Sequence, residues 1–366
     1  MTTSSPSPPP LRCGSCGATY ADRWRCECGH PLDYAEQPLP DRAAPDPASF
    51  DARDGLWSFA EFIPESPAVT LGEGMTPLVD APAWDAQFKL EYVFPSGSFK
   101  DRGATTMLSR AAALGVDTVV EDSSGNAGAA VATYAARAGI DAEIYVPASV
   151  KEAKLAAIRR AGAATVETEG PRQATTDACV AAVEAGAGWY ASHAWNPAFF
   201  AGTATFAYET ALQRDWDAPD AVVLPLGHGT LFLGVYRGFR ALQQAGWTDS
   251  VPRLLGVQAA GAAPIVEALH GEAAAAGEND AADGIQIAEP VRKRQILDAV
   301  DDTDGDAIAL GADAVDAALD DLHAAGFYTE STSAVAPAAL SVYRDRDVLG
   351  PDDDVVVPLT GSGLKR

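Results

Sequence analysis

Short β-rich runs that alternate with alanine-rich helical stretches limit what this chain can fold into more than any other feature. Thr118-Val119-Val120, Ala142-Glu143-Ile144-Tyr145-Val146, Ala164-Thr165-Val166, Ala221-Val222-Val223-Leu224 and Val355-Val356-Val357 are runs of the first kind. Stretches of the second kind run from Ala127 to Ala138, Lys151 to Ala161, Ala312 to Ala325 and Ala334 to Arg346. This alternation predicts an α/β fold, with parallel sheets covered by the helices that connect their strands. Ligands of such sheets bind beyond the carboxyl ends of the strands, so the loops that follow strands are where chemistry is expected.

At 366 residues the chain exceeds what one core usually supports, which predicts two lobes around a cleft and a small appendage. No apolar run reaches eighteen residues, and Met1 to Pro10 is Ser/Pro-rich without an apolar signal core. The expectation is a cytoplasmic protein. Its 51 acidic and 26 basic residues give a net charge of −25, a field that repels nucleic acid and anionic membranes. Only six of the basic residues are lysines. An acidic surface poor in lysine is the composition expected of a protein working in concentrated salt, where screening limits self-repulsion.

Residues 1–11 are expected to be a disordered tail, 12–34 a compact cysteine unit, and 35–70 a linker, Pro/Asp/Ala-rich from Gln37 to Asp54. Cys13 and Cys16 form a C-x-x-C, and Cys26 and Cys28 a C-x-C, each pair followed by glycine. Four thiolates in two tight loops match a tetrahedral zinc site of the ribbon type better than disulfides in a cytosolic protein. The C-x-C half is one residue tighter than the usual knuckle, which leaves His30 as a substitute ligand. Such a closed shell has no position for substrate, so the remainder is expected to stay active without it. Cys179, on a helix among apolar neighbours, reads as core.

Three loops carry candidate chemistry. Pro95-Ser96-Gly97-Ser98-Phe99-Lys100-Asp101-Arg102-Gly103 places one lysine among small residues, where its amine can meet a carbonyl; a solvated surface lysine is the competing reading. Ser123-Ser124-Gly125-Asn126 follows a strand and opens a helix, so its N–H groups and hydroxyls suit a carboxylate, or merely cap the helix. Leu226-Gly227-His228-Gly229-Thr230 has the same architecture. Its glycines let successive amides converge on a phosphate and Thr230 adds a hydroxyl, while His228 either approaches that phosphate or is solvated.

In this order, with Leu71-Gly72-Glu73-Gly74-Met75-Thr76-Pro77-Leu78 before them and Thr360-Gly361-Ser362-Gly363-Leu364-Lys365 after, these strings resemble fold-type II pyridoxal-phosphate enzymes of the threonine synthase branch. Five motifs in family order cover nearly the whole chain beyond the linker, and some threonine synthase relatives also carry a cysteine ribbon. The resemblance implies two parallel-sheet domains around a cleft over 71–366, the smaller lobe at about 104–200. It implies pyridoxal 5'-phosphate attached to Lys100, which also serves as base at Cα. Asn126 would bond the phenolic oxygen, Gly227, His228, Gly229 and Thr230 the phosphate, and Thr360 the pyridine nitrogen, with Ser362 as fallback. Ser123, Ser124, Gly125 and Asn126 would hold the amino-acid carboxylate. The partners implied are a small amino-acid substrate and, as an option, a second copy in a homodimer.

One departure bears on the reaction. Threonine synthases carry Asn-Pro-x-Arg, whose arginine clamps the substrate's phosphate, whereas this chain has Asn196-Pro197-Ala198-Phe199. An apolar ring cannot replace a bidentate phosphate ligand. Arg172 is an alternative source of the clamp, and an arginine introduced at Phe199 is expected to improve use of a phosphorylated substrate. Ala201-Gly202 and Thr205 are similar to the corresponding segment of serine/threonine dehydratases. The first expectation is threonine synthase-like activity on O-phosphohomoserine. Threonine or serine dehydration, cysteine-synthase-like β-replacement and a non-catalytic regulatory protein are the alternatives.

Overall fold

The structure is a computed structural model and describes residues 8–123, 125–150, 152–170 and 172–365, without the side chains of Ala153, Lys154 and Arg172. Two candidates named above, Ser124 and the Arg172 side chain, therefore lie outside the described residues.

In chain order the strands are β1 (Leu11–Cys13), β2 (Thr19–Tyr20), β3 (Leu32–Tyr34), β4 (Leu78–Ala81), β5 (Ala86–Lys89), β6 (Thr118–Glu121) and β7 (Asp141–Pro147). They continue with β8 (Ala164–Thr168), β9 (Trp189–Tyr190), β10 (Ala221–Pro225), β11 (Arg253–Ala259), β12 (Asp306–Leu310) and β13 (Val355–Pro358). Among the described residues they form three sheets: an antiparallel β2-β1-β3, a six-stranded β12-β11-β10-β13-β5-β4 and a four-stranded β8-β7-β6-β9. The smaller α/β sheet is parallel throughout. The larger is parallel except for its edge, where β4 runs antiparallel to β5 through a tight hairpin too short for a crossover.

Burial explains why the central strands read as unbroken apolar runs. Helices cover both faces of the larger sheet, so β10 and β13 are buried at every position and alternation is lost. Phe200, Phe232 and Phe239 fill one side of it, and Val335, Leu340 and Tyr343 the other. The smaller sheet has its own core, in which Met107 and Leu108 from the Lys100–Ala113 helix meet Val131 and Tyr134 from the Asn126–Ala138 helix.

The Pro197–Gln213 helix packs against both Lys100–Ala113 and Thr230–Gln244 and so joins the lobes. At Gly202 a Cβ would come within 1.9 Å of the Arg102 carbonyl oxygen, a backbone approach that only glycine permits. Two residues after Lys100 in the same helix, the fully buried Arg102 donates to both oxygens of Glu91 at 2.6 and 2.8 Å and to both of Glu209 at 2.6 and 2.8 Å. Lys89 on β5 donates to Glu209 at 3.1 Å, and this buried network fixes the helix that carries the candidate lysine.

The segment between the cysteine unit and the α/β region holds more order than its composition implies. Ala52–Phe62 forms 3₁₀ turns that bury Phe59 and Phe62, and Phe62 stacks on Tyr208 with centroids 4.7 Å apart. Its aromatic residues anchor it. Leu11, at the end of the expected tail, is buried in β1.

Candidate active site

The loops after β5, β6, β10 and β13 meet in one cleft of ≈ 310 Å³, and strand order explains the meeting. Because β10, β13 and β5 are neighbours, their following loops emerge side by side at the carboxyl edge. The lysine loop is stitched to the C-terminal loop: the Phe99 N–H donates to the Thr360 carbonyl at 3.0 Å and the Ser362 N–H to the Gly97 carbonyl at 2.9 Å. Lys100 opens its helix and lines the cleft, with Nζ 3.4 Å from Oγ1 of Thr230.

Thr230 begins the helix after β10, so the amino end of that helix faces the lysine. Gly229 sets the turn with φ +76°, a left-handed conformation that favours glycine. Gly227, His228 and Gly229 line the same cleft, as do Ser123, Gly125, Asn126 and Thr360. These described loop candidates are thus brought together. Thr360 Oγ1 pairs with Ser333 Oγ at 3.0 Å. Ser362 is not among the residues lining the cleft, and its hydroxyl accepts from the Leu364 N–H at 3.2 Å.

Several cleft residues were missed in the sequence. Asn126 donates through Nδ2 to Glu330 at 2.7 Å and accepts at Oδ1 from Lys365 at 2.9 Å. Burial lowers the Lys365 ammonium from its ordinary range, against the opposing pull of Glu330 and Asp101. His193 also lines the cleft, with Nδ1 2.7 Å from Oε1 of the buried Glu121. Its ring lies 5.2 Å from His228, edge to face. Asp101, next to the lysine, is pushed up to about 6 by burial, which outweighs its hydrogen bonds from Ser96.

Phe199 is a core residue beside the candidate lysine. It is fully buried, and a Cβ on Gly103 would lie 2.3 Å from its Cδ1, so the ring occupies the space left by that glycine. Lys100 Nζ lies 5.8 Å from its centroid, although Phe199 is not among the residues lining the cleft. A guanidinium here would have to be buried against Gly103, which weighs against the gain expected from an arginine at this position. No arginine is among the described residues lining the cleft.

The sulfurs of Cys13, Cys16, Cys26 and Cys28 all lie within 4.8 Å of one another, so the short C-x-C still aims both its thiols inward. His30 Nδ1 is 3.4 Å from the Cys28 sulfur and pairs with that ligand candidate. The Tyr20 hydroxyl heads the hydrogen bonds that hold the Cys26 thiol down at about 6. Cys179 is buried beside Val120 and Tyr190, and burial pushes its thiol up. The cysteine unit also grips both lobes: buried Arg110 donates to the Ala21 carbonyl at 3.0 Å, and buried Arg292 to the Leu32 carbonyl at 2.8 Å and to Asp33 at 2.8 Å.

Residues 69–361 match the family described as pyridoxal-phosphate dependent enzyme, and the chain belongs to that family. It is similar to the threonine synthase of Methanocaldococcus jannaschii, 31% identical with 97% of this chain and 92% of that protein covered. It is also similar to the threonine synthase of Methanosarcina acetivorans, 35% identical over 85% of this chain and 80% of the relative. Among solved structures, a threonine deaminase of T.th. superposes with a TM-score of 0.65 at 25% identity, over 79% of this chain and 92% of its own. Maize serine racemase, at a TM-score of 0.67 and 21% identity over 81% and 89%, shares the fold. Among the described residues, no helix is long and apolar enough to cross a membrane.

Proposed function

We propose that this enzyme is a threonine synthase-like lyase that converts O-phospho-L-homoserine and water to L-threonine and phosphate. The observation that carries the reading is the similarity to threonine synthases over 97% of the chain. The residues present suit pyridoxal phosphate: an amine at Lys100, a glycine turn with a helix amino end at Gly229 and Thr230, and a buried hydroxyl at Thr360. The bound cofactor supplies an electron sink for the charge left at Cα. Lys100 holds the cofactor and moves the Cα proton. Gly227, His228, Gly229 and Thr230 bind its phosphate, and Thr360 orients its ring nitrogen. Ser123, Gly125 and Asn126, at the amino end of a helix, receive the substrate carboxylate.

A second reading, dehydration of threonine or serine, is favoured by Phe199, whose buried ring supplies no cation for a substrate phosphate. Phosphate release from O-phosphohomoserine, compared with 2-oxobutanoate formation from threonine, separates the two. Release of phosphate with threonine as co-product supports the first; oxoacid alone transfers the assignment to the second.

The four cysteines are proposed to hold one structural zinc. A tetrahedral zinc–thiolate site needs sulfurs roughly 3.8 Å apart, at Zn–S about 2.3 Å. The observed spacing suits that shell.

A further inference from the structure

Glu121 ends β6, and His193 follows β9, the parallel neighbour of β6. Adjacent carboxyl ends therefore place a buried carboxylate and an imidazole 2.7 Å apart, 72 residues distant in sequence. Glu121 is fully buried and His193 is 6% exposed, yet His193 reaches the wall of the cleft that holds Lys100. Phe199 bridges the two, its ring 5.9 Å from that of His193 and 5.8 Å from Lys100 Nζ. A carboxylate fixed on Nδ1 orients the ring and stabilises its protonated form, the arrangement of an acid/base pair. Lys100 accounts for the proton at Cα and leaves the proton at the side-chain oxygen without a carrier.

We propose that His193, positioned by Glu121, carries the proton at the oxygen on Cβ. The inference rests on the proposed function and holds for both of its readings, because they are the same step in opposite directions. In the synthase direction a lone pair of water forms the O–Cβ bond and one O–H proton passes to the imidazole. The electron pair of the Cα–Cβ double bond moves to Cα, where Lys100 returns a proton. In the dehydratase direction Lys100 takes the Cα proton, the Cβ–O bond breaks with its pair on oxygen, and the imidazolium proton completes the departing water. No other reagent is consumed. Histidine handles this proton where a hydroxyl, a poor leaving group, is made or lost.

The test uses the holoenzyme and its His193→Gln and Glu121→Gln variants, with O-phosphohomoserine and threonine as substrates. Exchange of the Cα hydrogen of 2-aminobutanoate in D₂O, followed by NMR, is the second readout, since that probe has no leaving group and needs only Lys100. His193→Gln is expected to lose about 100-fold or more in turnover while keeping exchange within about twofold. Glu121→Gln is expected to lower kcat with KM held. Turnover of His193→Gln within about threefold of the parent, or parallel loss of turnover and exchange, would overturn the proposal. A parent enzyme that exchanges the Cα hydrogen but turns over neither substrate would overturn the proposed function and this step with it.

Discussion

The amine of Lys100 lies 3.4 Å from the hydroxyl of Thr230, although 130 residues separate them. The lysine helix and the helix after β10 both begin at this contact, so the proposed point of cofactor attachment and the proposed phosphate cradle share one corner of the cleft. Neither loop could do this alone. The buried Arg102 network holds the first, and the left-handed turn at Gly229 aims the second.

Substituting that turn should weaken cofactor binding. Gly229 has φ +76°, and a Cβ there would meet Ile296 Cδ1 at 2.5 Å. Gly229→Val forces a β-branched residue into strain of about 1–3 kcal/mol and displaces the amides proposed to face the phosphate. Titration of the apoprotein with pyridoxal phosphate, read by visible absorbance, should show affinity lower by about tenfold or more. Unchanged affinity would place the phosphate elsewhere.

Acid should expose the buried network. Burial alone would raise the Glu209 carboxyl, but Arg102 and then Lys89 reverse this and hold it at about 2, below its ordinary 4.5. The unfolded chain then binds more protons between those values, so the contribution is complete above pH 4.5 and is lost as pH falls towards 2. Glu209→Gln removes the titration and leaves two buried cations undercompensated. Its stability at neutral pH should fall by about 3–5 kcal/mol, with a flatter acid limb in denaturant titrations at several pH values.

Phe199→Arg is expected to destabilise the fold by several kcal/mol, because the guanidinium would be buried against Gly103 with no partner supplied. Thermal unfolding would register the loss as a lowered Tm. A stable variant with improved use of O-phosphohomoserine would instead show that the ring position can open onto the substrate.

Deleting residues 1–34 should not leave an intact active core. Arg110 and Arg292 are fully buried, and the deletion removes the Ala21 and Leu32 carbonyls and the Asp33 carboxylate that they bond. The expected result is loss of cooperative unfolding or a markedly lower Tm, even with cofactor present. Chelation of the proposed zinc should act in the same direction, through the same contacts. A truncated protein with parental Tm and turnover would return the unit to the status of an independent appendage.

Legibility followed locality. The strand–helix alternation and the loops around Lys100, Asn126 and Gly229 are contiguous strings whose chemistry and turn geometry stand in a few residues, and they could be read directly. Glu121 with His193, and Asn126 with Glu330 and Lys365, could not be read, because each pairing depends on strand order and joins distant segments. The tie between Arg110 and Glu65 is hidden for the same reason. Phe199 was legible as a departure from Asn-Pro-x-Arg, but its burial against Gly103 was not, since a glycine in a helix does not announce which neighbour fills its space. Phe59 and Phe62 were obscured by the Pro/Asp/Ala composition just before them.

The most direct measurement maps the cofactor's attachment. The chain has only six lysines, so borohydride reduction of the holoenzyme, digestion and mass spectrometry leave little ambiguity. A pyridoxyl group is expected on the peptide containing Lys100, absent in Lys100→Ala along with turnover, while the variant remains folded. Label on Lys89, Lys365 or another lysine, or near-parental turnover in Lys100→Ala, would contradict it.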